Sequence, residues 1–203
     1  MSTKRQIVES SGIYFITITC YEWMPLFESI KGYDIVYKWF DYLKQLGHYV
    51  TGYVIMPNHL HALIAFRHSD KSINSVIGNG KRFMAYEIVK RLKFNGEDNT
   101  LNKLMEGVSI HDYKRGKLHE VFQPSFDWKE CRSRRFIDQK LNYMHDNPCG
   151  GKWNLAESPV DYVHSSARFY LTGEQTAYEV FHCGLLEDID FFSSIVSAGT
   201  MHN

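Results

Sequence analysis

The chain has 203 residues, with 23 basic and 23 acidic side chains and no net charge at neutral pH. Its 44% hydrophobic and 23% charged content excludes a disordered chain and a generic polycationic nucleic-acid binder. It fits one globular domain with a self-sufficient core. No uncharged apolar run is long enough to span a bilayer, and Met1 to Gln6 lack the apolar stretch of a signal peptide, so no membrane partner and cytoplasmic residence are expected.

In chain order, Ile13 to Tyr21 alternates and is rich in β-branched and aromatic residues, which predicts a strand. Gly32 to Leu46 predicts a helix, because Ile35, Val36, Trp39, Phe40, Leu43 and Leu46 recur at three- and four-residue spacing before Gly47. Tyr49 to Met56 and residues 59–66 predict two strands of a hairpin, joined at Pro57-Asn58. Ser72 to Lys93 predicts a second helix capped by Ser72 and weakened by Gly78 and Gly80. Residues 94–118 lack periodicity and predict a loop. His119 to Trp128 predicts a fourth strand, and Ser133 to Asp146 a third helix. Pro148 should end that helix by pushing Asn147 out of helical geometry. The order implies an α+β fold, with helices packed on an antiparallel sheet in the ferredoxin-like, split βαβ manner.

The four cysteines form no C-x-x-C pair, so free thiols are expected rather than a zinc knuckle. Charge is unevenly spread. Residues 71–140 hold 15 Lys and Arg against 9 Asp and Glu, whereas residues 174–203 hold 5 acids and no base. A basic middle can present a positive surface on a neutral protein, although solvated helix faces give the same pattern.

The segment Met56-Pro57-Asn58-His59-Leu60-His61 places two imidazoles on one face of a strand, because side chains alternate with period two. Adjacent imidazoles can supply two ligands to a divalent metal, but a His-x-His also arises by chance in a chain with ten histidines. The helix from Ser133 carries Tyr143 and Asn147 four apart, on one face. Asn147 offers a carbonyl oxygen, and Tyr143 a phenol that can serve as nucleophile. Lys140 lies one turn earlier. His145 projects from another face, where packing is its simplest role. Lys81 and Arg82, then Lys90, Arg91 and Lys93, lie on the second helix. Arg132, Arg134 and Arg135 open the third. Such cations suit DNA phosphates.

Met56 to His61 and Tyr143-Met144-His145-Asp146-Asn147-Pro148 together resemble the single-tyrosine HUH transposase superfamily, and within it the REP-associated tyrosine transposase group. Tyr14-Phe15-Ile16-Thr17 with Pro25-Leu26-Phe27 is similar to the opening strand and following segment of that group. Ser165-Ser166-Ala167-Arg168-Phe169-Tyr170 is similar to its C-terminal signature. The resemblance implies a catalytic domain over 1–173 and leaves 174–203 as an acidic extension. It implies a transposase that cleaves and joins single-stranded DNA hairpins, in a nucleoid-associated setting. His59, His61 and Asn147 would hold Mg²⁺ or Mn²⁺, and Tyr143 would form a 5′-phosphotyrosine. Imidazole ligands favour manganese. The DNA contacts expected are Lys81, Arg82, Arg132, Arg134, Arg135 and Lys140. The tyrosine helix would act in cis or be exchanged within a homodimer. Two other readings remain open at this point: a nuclease in which a water attacks, and a catalytically silent single-strand-binding regulator. Glu22 departs from the group, many members of which carry a basic residue there.

Overall fold

A computed structural model describes residues 6–188. Its centre is a four-stranded antiparallel sheet in the order β2-β3-β1-β4, built from β1 (Gly12–Thr19), β2 (Tyr49–Met56), β3 (His59–Phe66) and β4 (Asp127–Glu130). β1 and β2 flank β3 and are parallel to each other, with α1 (Leu26–Ser29) and α2 (Tyr33–Gln45) between them in sequence. β3 and β4 flank β1 and are joined through α3 (Ile73–Phe94), α4 (Asp98–Glu106) and α5 (Ile110–Lys114). Two interleaved split βαβ units result, as the sequence predicts. After β4 come α6 (Arg134–Asp146) and α7 (Ala167–Thr172).

β3 is buried at every position because both sheet faces are covered. Ile16, Ile18, Leu60, Ala62 and Ile64 face α2 and α3, whereas Phe15, Val54 and Leu63 face α6. α2 and α3 are clamped by Arg91, whose guanidinium donates to both carboxylate oxygens of Asp34 at 2.7 and 2.6 Å.

The two helical glycines of α3 play opposite roles. Open space surrounds Gly78, but a Cβ on Gly80 would lie 2.1 Å from Trp39 Nε1 in the buried face of α2. Gly78→Ala should therefore stabilise the fold by about 0.5–1 kcal/mol through helix propensity. Gly80→Ala gains the same propensity but forces the indole aside, which costs about 1–3 kcal/mol, so the urea midpoint should move down for Gly80→Ala and up for Gly78→Ala.

Three sequence expectations fail. Residues 94–118 contain α4 and α5 rather than a loop. α4 buries just Leu101 and Leu104, and α5 buries no residue, so neither writes an apolar period. The fourth strand is not His119–Trp128 but Asp127–Glu130. Residues ahead of it hold to the sheet through a single bridge, Phe122 to Cys20, and Pro124 has no N–H to extend a ladder. Asn147 keeps right-handed helical angles (φ −53°, ψ −43°) despite the proline that follows, because the chain tightens into a 3-10 turn over Asn147–Cys149.

Residues 174–188 lie against the sheet. Phe181 N–H donates to Val50 O, Tyr178 stacks on Tyr37, and Val180, Cys183 and Leu186 are buried. Residues 189–203, the rest of the acidic extension, lie outside the described residues. The four cysteines are free thiols. No helix among the described residues is long and apolar enough to cross a membrane.

Candidate active site

His59 and His61 project from the α6 face of β3, opposite Thr19 and Thr17 of β1. Their rings lie 4.8 Å apart. Asn58 fixes the state of His59. Its Nδ2 donates to Trp23 O at 3.1 Å, so its Oδ1 must face His59 Nδ1, 2.7 Å away. Turning the amide over would set two carbonyl oxygens against each other. Nδ1 of His59 is thus the protonated nitrogen, and Nε2 keeps its lone pair. Thr17 Oγ1 lies 2.8 Å from His61 Nδ1; with the hydroxyl accepting there, Nε2 of His61 carries the lone pair as well. Such outer contacts orient imidazoles that bind metals. Asn58→Ala removes the lock while keeping both imidazoles, so any Mn²⁺ affinity of the pair in a titration should fall about 10- to 100-fold.

Burial holds both rings neutral. His59 is pushed down to about 4 by desolvation, against a hydrogen bond to the Asn147 side chain that favours the charged ring. His61 is pushed down to about 3 by desolvation, then by the neighbouring His59 and Lys140. Desolvation also lowers His48 and His145 to about 4. Between these values and the ordinary 6.5 the unfolded chain binds more protons than the folded one. Stability therefore falls as pH drops from 6.5 towards 4. At pH 5.5 each histidine gives up at most about 1.4 kcal/mol. Urea unfolding of chelator-treated protein at pH 7.5 and pH 5.5 should show a clear drop at the lower pH. An unchanged midpoint would mean that these rings are protonated in the fold.

α6 brings the second half. Ser133 caps it, accepting from Phe136 N–H, and Ile137, Leu141, Met144 and His145 are its buried side. His145 is a packing anchor. Its Nε2 hydrogen-bonds Ser166 Oγ at 2.9 Å, and that oxygen also accepts from Tyr53 N–H, which ties α6 to β2. Tyr143 stands on the open side and is 53% exposed. Its ring centre is 5.4 Å from that of His61 and 6.1 Å from that of Phe15. Lys140 Nζ sits over Phe15, Phe136 and Tyr143 at 5.2, 5.2 and 5.5 Å, which places a cation beside the phenol. Asn147 Nδ2 donates to Tyr143 O at 2.9 Å. The amide nitrogen is committed, so the carbonyl oxygen is the end turned towards His59.

His59, His61, Tyr143, Asn147 and Lys140 thus converge within one chain. The remaining cations do not. Lys81 and Arg82 lie on α3, across the sheet. Lys81 Nζ donates to Gln123 O and Ser125 O, and Arg82 donates to Asn79. They line a groove of about 740 Å³ with Lys93, Arg115 and Lys117. Arg132 pairs with Glu130, and Arg134 with Asp138. Arg135 is exposed and has no ion-pair partner among the described residues. Phe15, Thr17, Trp23 and Asn58 border the site and were given no role from the sequence. Phe15 and Thr17 lie in the opening-strand motif and Asn58 beside His59, whereas Trp23 carried no signal.

The donor set fits a divalent cation. Two neutral imidazoles and one amide oxygen would be uncharged ligands, and phosphate and water oxygens would complete the shell. Among the described residues no group of three or more His, Cys, Asp or Glu side chains gathers into a metal site. Such a set leaves the cation's charge undiminished for a phosphate.

No protein-family model matches the chain, and no curated protein does. Among solved structures it is similar to a REP-associated tyrosine transposase bound to a REP hairpin. That match has a TM-score of 0.58 at 16% identity, over 97% of this chain and 100% of the other. A Deinococcus radiodurans R1 protein assigned as a transposase aligns with a TM-score of 0.40 at 15% identity, over 72% of this chain and 97% of that one. At these identities the likeness is one of architecture, and the fold of this chain is that of the REP-associated tyrosine transposase.

Proposed function

We propose that the protein is a DNA transposase that cuts and rejoins single-stranded DNA next to a hairpin, with Tyr143 as nucleophile. The observation that carries this reading is the packing of the Tyr143 ring on His61, with Asn147 beside His59, all from one chain. In the reaction Tyr143 Oη attacks the scissile phosphorus and the P–O3′ bond breaks. The phenol's proton is lost and the departing oxygen gains one as a 3′-hydroxyl. The product is a 5′-phosphotyrosine, which keeps the phosphodiester energy, so a second 3′-hydroxyl can reverse the step without a nucleotide cofactor.

His59, His61 and Asn147 would hold Mg²⁺ or Mn²⁺, which supplies Lewis-acid polarisation of the phosphate. Lys140 lies over the Tyr143 ring, where its ammonium is placed to meet a nearby phosphate. With the tyrosine helix docked in cis, one subunit holds the full set, and a homodimer is not needed to complete it. The hairpin stem is the ligand for the groove across the sheet, where Lys93 and Arg115 carry no ion pair among the described residues. Lys93→Gln and Arg115→Gln should each weaken hairpin binding and lower the slope of log affinity against log salt by about 1.

The test is incubation of the full-length protein with Mn²⁺ and labelled single-stranded hairpins bearing unpaired flanks. A band that resists denaturation and protein-free 3′-hydroxyl strands are expected. Cutting without an adduct would instead mean that water attacks, and binding without cutting would mean a regulator.

A further inference from the structure

Trp23 is the large aromatic side chain that the fold leaves most conspicuously beside the site. It is 55% exposed, and its ring lies edge-on to His59 at 5.7 Å. The backbone that presents it is strained. Glu22 and Trp23 are consecutive left-handed residues, at φ 48° and 57°, and neither is glycine. The turn is nonetheless held from every side. Cys20 N–H donates to Asn58 O, Tyr21 N–H to Val121 O, and Trp23 N–H to Cys20 O. Asn58 Nδ2 donates to Trp23 O. Packing alone gives no reason to hold an indole half in solvent on a strained turn.

The rings run in sequence Trp23, His59, His61, Tyr143, with neighbouring centres 5.7, 4.8 and 5.4 Å apart. Trp23 touches the histidine far from the phenol. Displacement at phosphorus is in line, so the leaving oxygen departs opposite the attacking one. The nucleotide that leaves is therefore on the side of the phosphate away from Tyr143.

We infer that Trp23 is a positioning platform on which the base of the leaving, 3′-hydroxyl-bearing nucleotide stacks. This rests on the proposed tyrosine chemistry. Stacking does not accelerate the attack; it keeps the 3′-hydroxyl strand in place after the P–O3′ bond breaks. Trp23 thereby favours rejoining over loss of the strand. Aromatic faces bind bases of any identity, so the preference is for a base rather than for a sequence.

The experiment uses the full-length protein and a hairpin that the wild type cuts, with the cut located by sequencing the tyrosine-linked strand. Trp23→Leu keeps apolar bulk and Trp23→Phe keeps a ring. Trp23→Leu should weaken retention of the 3′-hydroxyl strand, measured in chelator, about 10-fold. Rejoining should fall with it, and by more than adduct formation at saturating DNA falls. Trp23→Phe should restore most of the retention. An abasic leaving nucleotide should reproduce the loss in the wild type and add nothing in Trp23→Leu. If the abasic substrate weakens both proteins equally, or Trp23→Leu retains the strand as well as the wild type, the platform is overturned while the adduct leaves the tyrosine reading standing. If the wild type forms no adduct with any hairpin in a pool, both fall together.

Discussion

Tyr143→Phe should abolish the covalent protein–DNA adduct and lower the cleavage rate by on the order of 10⁴-fold or more. The substitution removes one oxygen and keeps the ring that packs on His61 and Phe15. That side chain is half-exposed on the open side of α6, so the melting temperature should stay put. Hairpin affinity should also hold within about twofold, because the phenol contacts DNA mainly in the transition state. A denaturing gel and a binding titration on the same preparation check all three points. Cutting by Tyr143→Phe at the wild-type rate would assign the attack to water and remove the tyrosine from the chemistry.

His59→Ala should lower the adduct rate by on the order of 10³-fold, since several kcal/mol of charge stabilisation at the phosphate is lost with the ion. The change also strands Asn58 Oδ1, which faces His59 Nδ1 in the native fold. An unpaired buried acceptor costs about 1–3 kcal/mol, so part of any loss could reflect unfolding. Mn²⁺ titration of the hairpin complex in a Tyr143→Phe background separates the two effects, because no DNA is consumed there. Expected is a large drop in Mn²⁺ affinity when His59→Ala is added, with circular dichroism still native. Equal Mn²⁺ affinity with and without His59 would mean that the imidazoles are structural and that the ion binds elsewhere.

The long elements were legible because their burial is periodic. α2 writes its core face as Ile35, Val36, Trp39, Phe40 and Leu43, and α6 as Ile137, Leu141 and Met144. α5 was not legible by that route, since it buries nothing. Its signal was chemical, Ser109 capping the N–H of Asp112 three residues on. The residues proposed as ligands and nucleophile stood out as candidates from their spacing along a strand and a helix, and the resemblance supplied their roles. Their supports did not stand out. Thr17 meets His61 through the pairing of β1 with β3, and register between strands is not written in either strand alone. Trp23 is reached through a turn in left-handed geometry that its residue types disfavour. The basic middle of the chain was visible as a count, but its division between a groove on one sheet face and a helix start on the other is a property of topology.

β2 is an edge strand, yet much of its outer side is satisfied from far along the chain. Ile55 N–H donates to His164 O, Ser166 N–H to Tyr53 O, and Phe181 N–H to Val50 O. During synthesis β2 is finished more than a hundred residues before these partners exist. The nascent chain therefore carries an open, apolar strand edge until these residues emerge, the kind of surface on which unfinished chains coalesce. Products cut short before residue 164 should accumulate in the insoluble fraction and recruit chaperones, even though they contain both histidines and the tyrosine.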